Sequence, residues 1–445
     1  MISGTAIADL EAGLSRIDAQ NASLRTFITV SGDQARQDAT AVDSAAAEGR
    51  WLGLLHGMTI AVKDNIDTAG VRTTSGASFW SDRVPNDDAP VVKRLKAAGA
   101  VVVGKATLGE LVFDVRSHNP VLGHARNPWD HERSPGGSSG GSAAALAADM
   151  CQGALGSDTG GSVRIPAAFC GVSGLRPTHG AVPNSGATPV SVANDTIGPM
   201  ARRVADVARL FAVMAGYDPA DPHSVDNDFG NFLPRLHDGV EGLTIGLPRN
   251  YFFNNVDPDI EAAVRAGAEV FAELGAELVE IDLPGAEEAH PQACIQIYCD
   301  AAHYHRQRLE NEPQAFSVPI YERMRRGLEI PGVDYAAAMR FKEQWMRTIA
   351  DAFKAVDLIL CPTTPIPALP LEDAPDLHEL TARTASLTYA GSLASIPGLS
   401  VPCGFTSDGL PVGLMLQSAW WNDPLLLRAG CAYQSATDWH EQRPG

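Results

Sequence analysis

Short apolar runs alternate with amphipathic segments along most of the chain. Residues 58–62 form an apolar run that predicts a buried strand ending at Lys63, and residues 100–103 predict the next strand. Between these two runs, Pro90 in a first turn and Gly99 after a last turn mark the limits of a helix. This strand–helix–strand succession is typical of an α/β layer architecture.

The same kind of pattern predicts further elements on both sides of this unit. Helices are expected twice within residues 4–48, at residues 203–215, 259–274 and 424–434, and between residues 286 and 356. Strands are expected at residues 243–247, 277–283, 357–361, 399–401 and 412–416. No clear boundary divides the chain, so we expect one domain over residues 1–445, with a helical cover provided by residues 223–350.

Composition is that of a large globular protein. Of the 445 residues, 45% are hydrophobic and 20% are charged, so a core can form without metal or disulfide support. The seven cysteines are scattered and never spaced as Cys-x-x-Cys, which favours reduced thiols over a disulfide framework or a zinc ribbon. No apolar stretch approaches about 18 residues, and residues 1–14 lack a signal-peptide pattern. We expect a soluble, cytoplasmic protein without membrane contact.

Charge excludes one further class of partner. The formal net charge is −19, from 34 Lys and Arg against 53 Asp and Glu. Such a chain repels phosphate backbones unless its basic residues cluster, and the longest basic run is Arg325-Arg326 with Arg323 nearby. We therefore expect no direct binding of nucleic acid.

Residues 134–162 are dominated by Gly, Ser and Ala. Gly-Gly-Ser-Ser-Gly-Gly at residues 136–141 and Asp-Thr-Gly-Gly-Ser at residues 158–162 flank an Ala-rich segment that predicts a helix at residues 142–149. A flexible linker would not be interrupted by such a helix and by an apolar strand. Because glycine lowers helix or strand stability by about 0.5–1 kcal/mol relative to alanine, these glycines are expected to provide unusual backbone angles or a close approach of the main chain.

The two glycine-rich blocks present hydroxyl groups, and the strand before them presents an amine. Lys63 either reaches solvent or a carboxylate such as Asp64, or it is desolvated and becomes a usable base near neutral pH. A serine hydroxyl is a weak nucleophile that needs a nearby base, and glycines beside it let main-chain N–H groups converge on one point. Ser138 and Ser162 both lie in such a setting.

Other motif interpretations fit less well. Gly-x-Ser-x-Gly at residues 136–140 lacks the preceding apolar strand of a nucleophile elbow, and neither glycine block contains the lysine of a phosphate-binding loop. No Ser-x-x-Lys occurs in the chain. Cys299, His303 and His305 come closest to a metal site, but residues 303 and 305 point to different faces of a helix, so no metal is expected.

Several motifs in one order resemble the amidase signature family. They are Ala-Val-Lys-Asp-Asn at residues 61–65, Pro-Gly-Gly-Ser-Ser-Gly-Gly-Ser at 135–142, Gly-Ser-Asp-Thr-Gly-Gly-Ser-Val-Arg-Ile-Pro at 156–166 and Phe-Cys-Gly-Val-Ser-Gly-Leu-Arg-Pro-Thr at 169–178. Flanking motifs at residues 127–130, 195–202, 361–365 and 409–413 extend the resemblance over most of residues 56–440. The resemblance implies one α/β domain with a central mixed, twisted sheet covered by helices on both faces, and catalytic motifs within residues 56–205.

The resemblance also implies an amidase mechanism without a cofactor. Ser162 would be the acylating nucleophile, Lys63 the neutral general base, and Ser138 the proton relay between them, with a cis peptide bond at that position. The oxyanion hole would be formed by the main-chain N–H groups of Thr159, Gly160, Gly161 and Ser162. Support would come from Ser139, from Ser142 and from an ion pair between Asp158 and Arg164.

The resemblance leaves the substrate open. A free-standing hydrolase of a small-molecule amide is favoured, with Phe113, Asp114 and Tyr389 expected in the substrate pocket; carbamates, ureas and esters are alternatives within the same family. The glutaminase subunit of a tRNA-dependent amidotransferase is a second hypothesis. It is weakened by Ala181, where many members carry Arg, and by residues 333–340, which lack that branch's paired tyrosines. A homodimer is common among relatives and is included among the expected partners.

Overall fold

The computed structural model describes residues 5–371 and 376–445, and these form twelve α-helices and eleven strands. The helices are α1 (Ala6–Leu24), α2 (Gly32–Ala47), α3 (Pro90–Ala97), α4 (Gly140–Ala147), α5 (Arg164–Cys170), α6 (Val204–Met214), α7 (Pro258–Glu273), α8 (Ala286–Asn311), α9 (Val318–Glu329), α10 (Gly332–Ala352), α11 (Leu377–Leu393) and α12 (Asp423–Ala436). The strands are β1 (Phe27–Val30), β2 (Thr59–Lys63), β3 (Val101–Ala106), β4 (Gly153–Asp158), β5 (Ser173–Arg176), β6 (Thr196–Ala201), β7 (Thr244–Pro248), β8 (Glu277–Ile281), β9 (Leu358–Pro362), β10 (Gly398–Phe405) and β11 (Pro411–Ser418).

All eleven strands belong to one mixed sheet, in the order β1-β3-β2-β4-β6-β5-β10-β11-β9-β7-β8. Strand β2 runs parallel to β3 and β4, and β7 runs parallel to β8 and β9. The other neighbouring strands pair antiparallel. The predicted α/β fold with a central mixed sheet is therefore confirmed.

Alternate residues of the strands face two different cores, because side chains along a strand point to opposite faces of the sheet. In β2, Ile60 and Val62 pack into one hydrophobic cluster and Ala61 into another. In β9, Leu360 and Cys361 divide between the two faces in the same way. Helices α3, α6, α7 and α12 cover the first face, and α1, α2, α4 and α8 to α11 cover the second. Both faces of the sheet are thus buried under helices.

The range 223–350, predicted to form a helical cover, contains strands as well as helices. Within that range, β7, α7 and β8 belong to the sheet layer and the helix packed on it. The cover itself is formed by α8, α9 and α10 together with α11, which packs against α8. The sequence pattern did not predict α11, because this helix is buried over most of its length and so lacks a polar face.

Four further short elements were absent from the sequence predictions: β1, β5, β6 and α5. Strand β6 contains a glycine and a proline, β5 contains a glycine, and α5 has only seven residues. Such residues and lengths give weak local signals. These two strands are stabilised instead by pairing with distant strands, β6 with β4 and β5 with β10.

Candidate active site

The amine of Lys63 is buried at the end of a central strand. Strand β2 lies between β3 and β4, and the Lys63 side chain is fully buried. Its Nζ lies 2.8 Å from the Oγ of Ser138 and 2.9 Å from the Oγ of Ser157. Burial lowers the pKa of this amine well below its ordinary value, and the negative charges of Asp158 and Asp195 only partly oppose that shift. The sequence left open whether Lys63 reaches solvent or is desolvated. In the fold it is desolvated.

The two glycine-rich blocks lie side by side next to this amine. Ser138 is buried and follows a cis peptide bond between Gly137 and Ser138, as the resemblance implied. The N–H of Ser139 donates to the carbonyl oxygen of Ser162 at 3.2 Å, which joins the block before α4 to the block before α5. The structure thus brings Lys63, Ser138 and Ser162 into one region.

Ser162 lies half-buried on the wall of a pocket with about 340 Å³ of empty space, here called the Ser162 pocket. The three residues predicted for substrate contact, Phe113, Asp114 and Tyr389, line the same pocket. The carboxylate of Asp114 is already paired, since its Oδ2 lies 2.9 Å from Nη2 of Arg116. Phe113 and Tyr389 contribute aromatic surface.

Contacts with α11 explain why two residues before Ser162 are glycines. A Cβ atom on Gly160 would lie 2.2 Å from Cε2 of Tyr389, far inside van der Waals contact. Gly161 has a φ of +135°, and a Cβ there would lie 2.3 Å from Oγ1 of Thr388. The Thr388 hydroxyl also donates to the carbonyl oxygen of Gly160 at 2.6 Å. The expectation of a close approach of the main chain is met at these positions.

One of the four N–H groups predicted for the oxyanion hole has another partner. The N–H of Gly161 donates to Oδ1 of Asp158 at 2.7 Å, so it serves the loop itself. The N–H groups of Thr159, Gly160 and Ser162 are left as the candidates for holding an oxyanion.

Asp158 ties the loop to two arginines, where the resemblance implied one. Arg164 contacts its carboxylate at 3.0 and 3.1 Å, and Nη1 of Arg176 lies 3.2 Å from Oδ1. All three side chains are fully buried. Burial alone would raise the pKa of Asp158, but the two guanidinium groups overcome this and hold the pKa far below its usual range. The two arginines therefore favour the ionised form of this carboxylate.

The remaining predicted support residues bind the helix after Ser138 to the strand before Asp158. The Oγ of Ser139 donates to the carbonyl oxygen of Ser157 at 3.2 Å, and the N–H of Ser157 donates back to the same Oγ at 3.2 Å. The Oγ of Ser142 donates to the carbonyl oxygen of Leu155 at 2.9 Å. Both serines thus fix α4 against β4.

Three residues of the site were missed from sequence. Ser157 contacts Lys63, and its place in the Gly-Ser-Asp-Thr-Gly-Gly-Ser block was a usable signal. Asp195 is buried and accepts a hydrogen bond from the hydroxyl of Thr159 at 2.5 Å, and burial raises its pKa to about 6. Its place in the motif at residues 195–202 was also visible. Arg323 had no such signal, because it belongs to a short basic run on α9 that is typical of a solvated helix face.

Arg323 is buried in the wall of the Ser162 pocket. Its guanidinium donates to the carbonyl oxygen of Phe113 at 2.6 Å and lies 4.4 Å from the centre of the Phe113 ring. A longer contact of 3.4 Å reaches the hydroxyl of Tyr298. No carboxylate among residues 5–371 and 376–445 forms an ion pair with this cation.

Two further features of the described residues bear on the class of site. No group of three or more His, Cys, Asp or Glu side chains within them is arranged to hold a metal ion. No helix in the described ranges is long and apolar enough to cross a membrane.

Comparison with known proteins gives the family. The amidase family profile matches residues 9–427 of this chain. The chain therefore belongs to the amidase signature family, whose hydrolases act on amide C–N bonds.

Relatives that align with nearly the whole chain are named either as amidotransferase subunits or as amidases. A glutamyl-tRNA(Gln) amidotransferase subunit of Chloroflexus aurantiacus is 40% identical over 465 residues, covering 99% of this chain and 95% of that protein. An amidase of Pseudomonas putida is 39% identical over 447 residues, with coverage of 99% and 94%. The solved structure of a peptide amidase from Stenotrophomonas maltophilia has a TM-score of 0.85 and 31% identity, covering 99% of this chain and 95% of that one. Each of the two functions suggested by the sequence is thus the named function of a relative of this chain.

Replacing Asp158 tests the buried ion-pair cluster. Asp158→Asn leaves Arg164 and Arg176 buried without a counter-ion, and should lower the free energy of unfolding by about 3–5 kcal/mol. Denaturant unfolding measures the loss. The control is Glu11→Gln, which breaks the exposed pair with Arg36 and should change the free energy by about 0–1 kcal/mol. Similar losses in both variants would contradict the role given to Asp158.

Proposed function

We propose that the protein hydrolyses the C–N bond of a small-molecule amide in the cytoplasm through an acyl-enzyme on Ser162. The observation that carries this proposal is the 2.8 Å contact between the buried Nζ of Lys63 and the Oγ of Ser138. A desolvated amine is a base at neutral pH, and a hydroxyl within hydrogen-bond distance can pass a proton to it. The hydrogen bond from the N–H of Ser139 to the carbonyl oxygen of Ser162 supports a role for Ser162 next to that hydroxyl.

In the acylation step, the Oγ of Ser162 attacks the carbonyl carbon of the amide. Its proton passes to the Oγ of Ser138, whose own proton passes to Nζ of Lys63. The carbonyl oxygen becomes an oxyanion held by the N–H groups of Thr159, Gly160 and Ser162, and each such donor is worth roughly 10²–10³ in rate. Collapse of the intermediate breaks the C–N bond, and Lys63 returns the proton through Ser138 to the leaving nitrogen.

Deacylation repeats the path with water in place of Ser162. Water attacks the acyl carbon, gives its proton to Lys63 through Ser138, and releases the carboxylic acid as the proton returns to Ser162. Asp158, Ser139 and Ser142 act through the loops that they hold, without touching the reacting atoms.

Labelling tests the nucleophile. A serine-reactive fluorophosphonate should label the wild type and fail to label Ser162→Ala, because the Oγ that attacks phosphorus is absent. Intact-mass measurement gives the stoichiometry. Ser435→Ala, on the exposed part of α12, is the control and should label like the wild type. Equal labelling of Ser162→Ala and wild type would remove Ser162 from this role.

The pH profile tests the base. Because burial lowers the pKa of Lys63, its neutral form persists to lower pH than that of an exposed lysine, and kcat/KM should fall as the pH drops through that lowered pKa. Lys63→Ala should lose roughly 10²–10⁴-fold in kcat/KM at neutral pH. The loss should be smaller at alkaline pH, where hydroxide replaces the base. Lys354→Ala, at an exposed surface position, is the control. Full activity of Lys63→Ala across the pH range would contradict the proposal.

A second candidate function is favoured by Arg323. A buried cation without a counter-ion is costly, and a carboxylate on the acyl part of the substrate would pair with it. Glutamine has such a carboxylate, and relatives include proteins named as subunits of glutamyl-tRNA(Gln) amidotransferase. In this function the chain would be a glutaminase whose activity rises with tRNA and a partner subunit.

Substrate-dependent effects of Arg323 test this second function. Arg323→Gln should raise KM for glutamine at least tenfold and change KM for propionamide less than threefold, because only glutamine carries the carboxylate. Steady-state amine release measures both. The control is Arg326→Gln, on the same helix but paired with Asp376 outside the pocket. Steady hydrolysis of simple amides without any partner, and none of glutamine, would count against the glutaminase.

A further inference from the structure

A second pocket adjoins the Ser162 pocket. This pocket, here called the Ser157 pocket, holds about 710 Å³ of empty space and shares Val112, Thr159 and Val190 with the Ser162 pocket. Ser157 and Asn65 line only the Ser157 pocket. The two pockets therefore meet at Thr159, next to the proposed site of acyl transfer.

The Ser157 pocket lies on the proton-transfer side of the site. The Oγ of Ser157 is 2.9 Å from Nζ of Lys63, and Nδ2 of Asn65 donates to the same Oγ at 3.3 Å. In the proposed function, on which this inference rests, Lys63 returns a proton through Ser138 to the leaving nitrogen. The leaving group must therefore extend toward the Lys63 side, while the acyl group stays in the Ser162 pocket.

The carboxylates of the Ser157 pocket are already engaged by the chain itself. Asp195 accepts from the hydroxyl of Thr159 at 2.5 Å, and Asp221 accepts from the N–H of Asn184 at 2.7 Å. Among residues 5–371 and 376–445, no lysine or arginine lines the pocket. Much of the remaining wall is apolar, through Val112, Ala187, Pro189, Val190, Val192 and Ile197. Apart from His223, the described lining residues offer a charged ligand no ionisable side chain without a partner in the chain, whereas an apolar group would lose its contact with water there.

We propose that the Ser157 pocket binds the amine half of an N-substituted amide, as an uncharged aryl or branched alkyl group. Attack forms the bond between Ser162 Oγ and the acyl carbon, and the C–N bond then breaks. The nitrogen takes the proton relayed from Lys63, so a neutral amine is left in the Ser157 pocket. The ammonia released from an unsubstituted amide would use little of this space.

Matched substrate pairs test the proposal. The anilide and the primary amide of acetic, propionic and succinic acids differ only in the amine half, and kcat/KM is measured for each with the wild type and the variants. Ala187→Phe places a ring in the Ser157 pocket and should lower the ratio of anilide to primary-amide kcat/KM at least tenfold. Ala220→Trp, at the exposed rim of the same pocket, should also lower this ratio. It replaces Ala187→Phe in the test if that variant does not fold.

A substitution in the other pocket is the control. Ala385→Val narrows the Ser162 pocket, and it should lower kcat/KM for both members of a pair while changing their ratio less than threefold. If both amides are hydrolysed through Ser162 but folded Ala187→Phe and Ala220→Trp leave the ratio unchanged, the amine pocket is wrong and the proposed function stands. If the wild type hydrolyses neither amide, or Ser162→Ala hydrolyses both as well as the wild type does, the proposed function itself is wrong.

Discussion

The burial of the Lys63 amine is the constraint on which the rest of the site depends. An amine held away from water at the end of a central strand loses the solvation that favours its charged form, so its pKa falls. A buried polar group also needs hydrogen-bond partners. Ser138, in the first glycine-rich block, and Ser157, directly before the second, supply them. The position of β2 in the sheet therefore dictates where both segments must lie.

A second buried charge, on Asp158, holds one of these segments in place. Its carboxylate pairs with two arginines and accepts hydrogen bonds from the main-chain N–H groups of Gly161 and Val163, on either side of Ser162. Helix α11 packs against the same loop, with Tyr389 next to Gly160 and Thr388 next to Gly161. The ion pairs of Asp158 and the packing of α11 thus both hold the loop of residues 158–162 in place. Thr159, Gly160 and Ser162 of this loop line the Ser162 pocket.

Much of this arrangement was predictable from sequence, for a local reason. The apolar run before Lys63 and the glycines around Ser138 and Ser162 express requirements of the backbone at those positions. Elements with a clear period, such as α7, were also predictable. Helix α11 was not, because burial on nearly all sides removes the polar face that reveals a helix in a sequence. Arg323 was not either, because a buried arginine and a solvated one look alike in sequence.

The sequence by itself determined the fold class, the family and the set of groups able to do chemistry, since these depend on residues within short contiguous segments. Only the tertiary structure decided whether the Lys63 amine is buried, which N–H of the loop is bonded to Asp158, and which residues form the walls of the two pockets. These depend on contacts between distant segments, such as that of Thr388 with Gly160 across 228 residues. No local period or spacing carries such information, because packing of whole elements sets it.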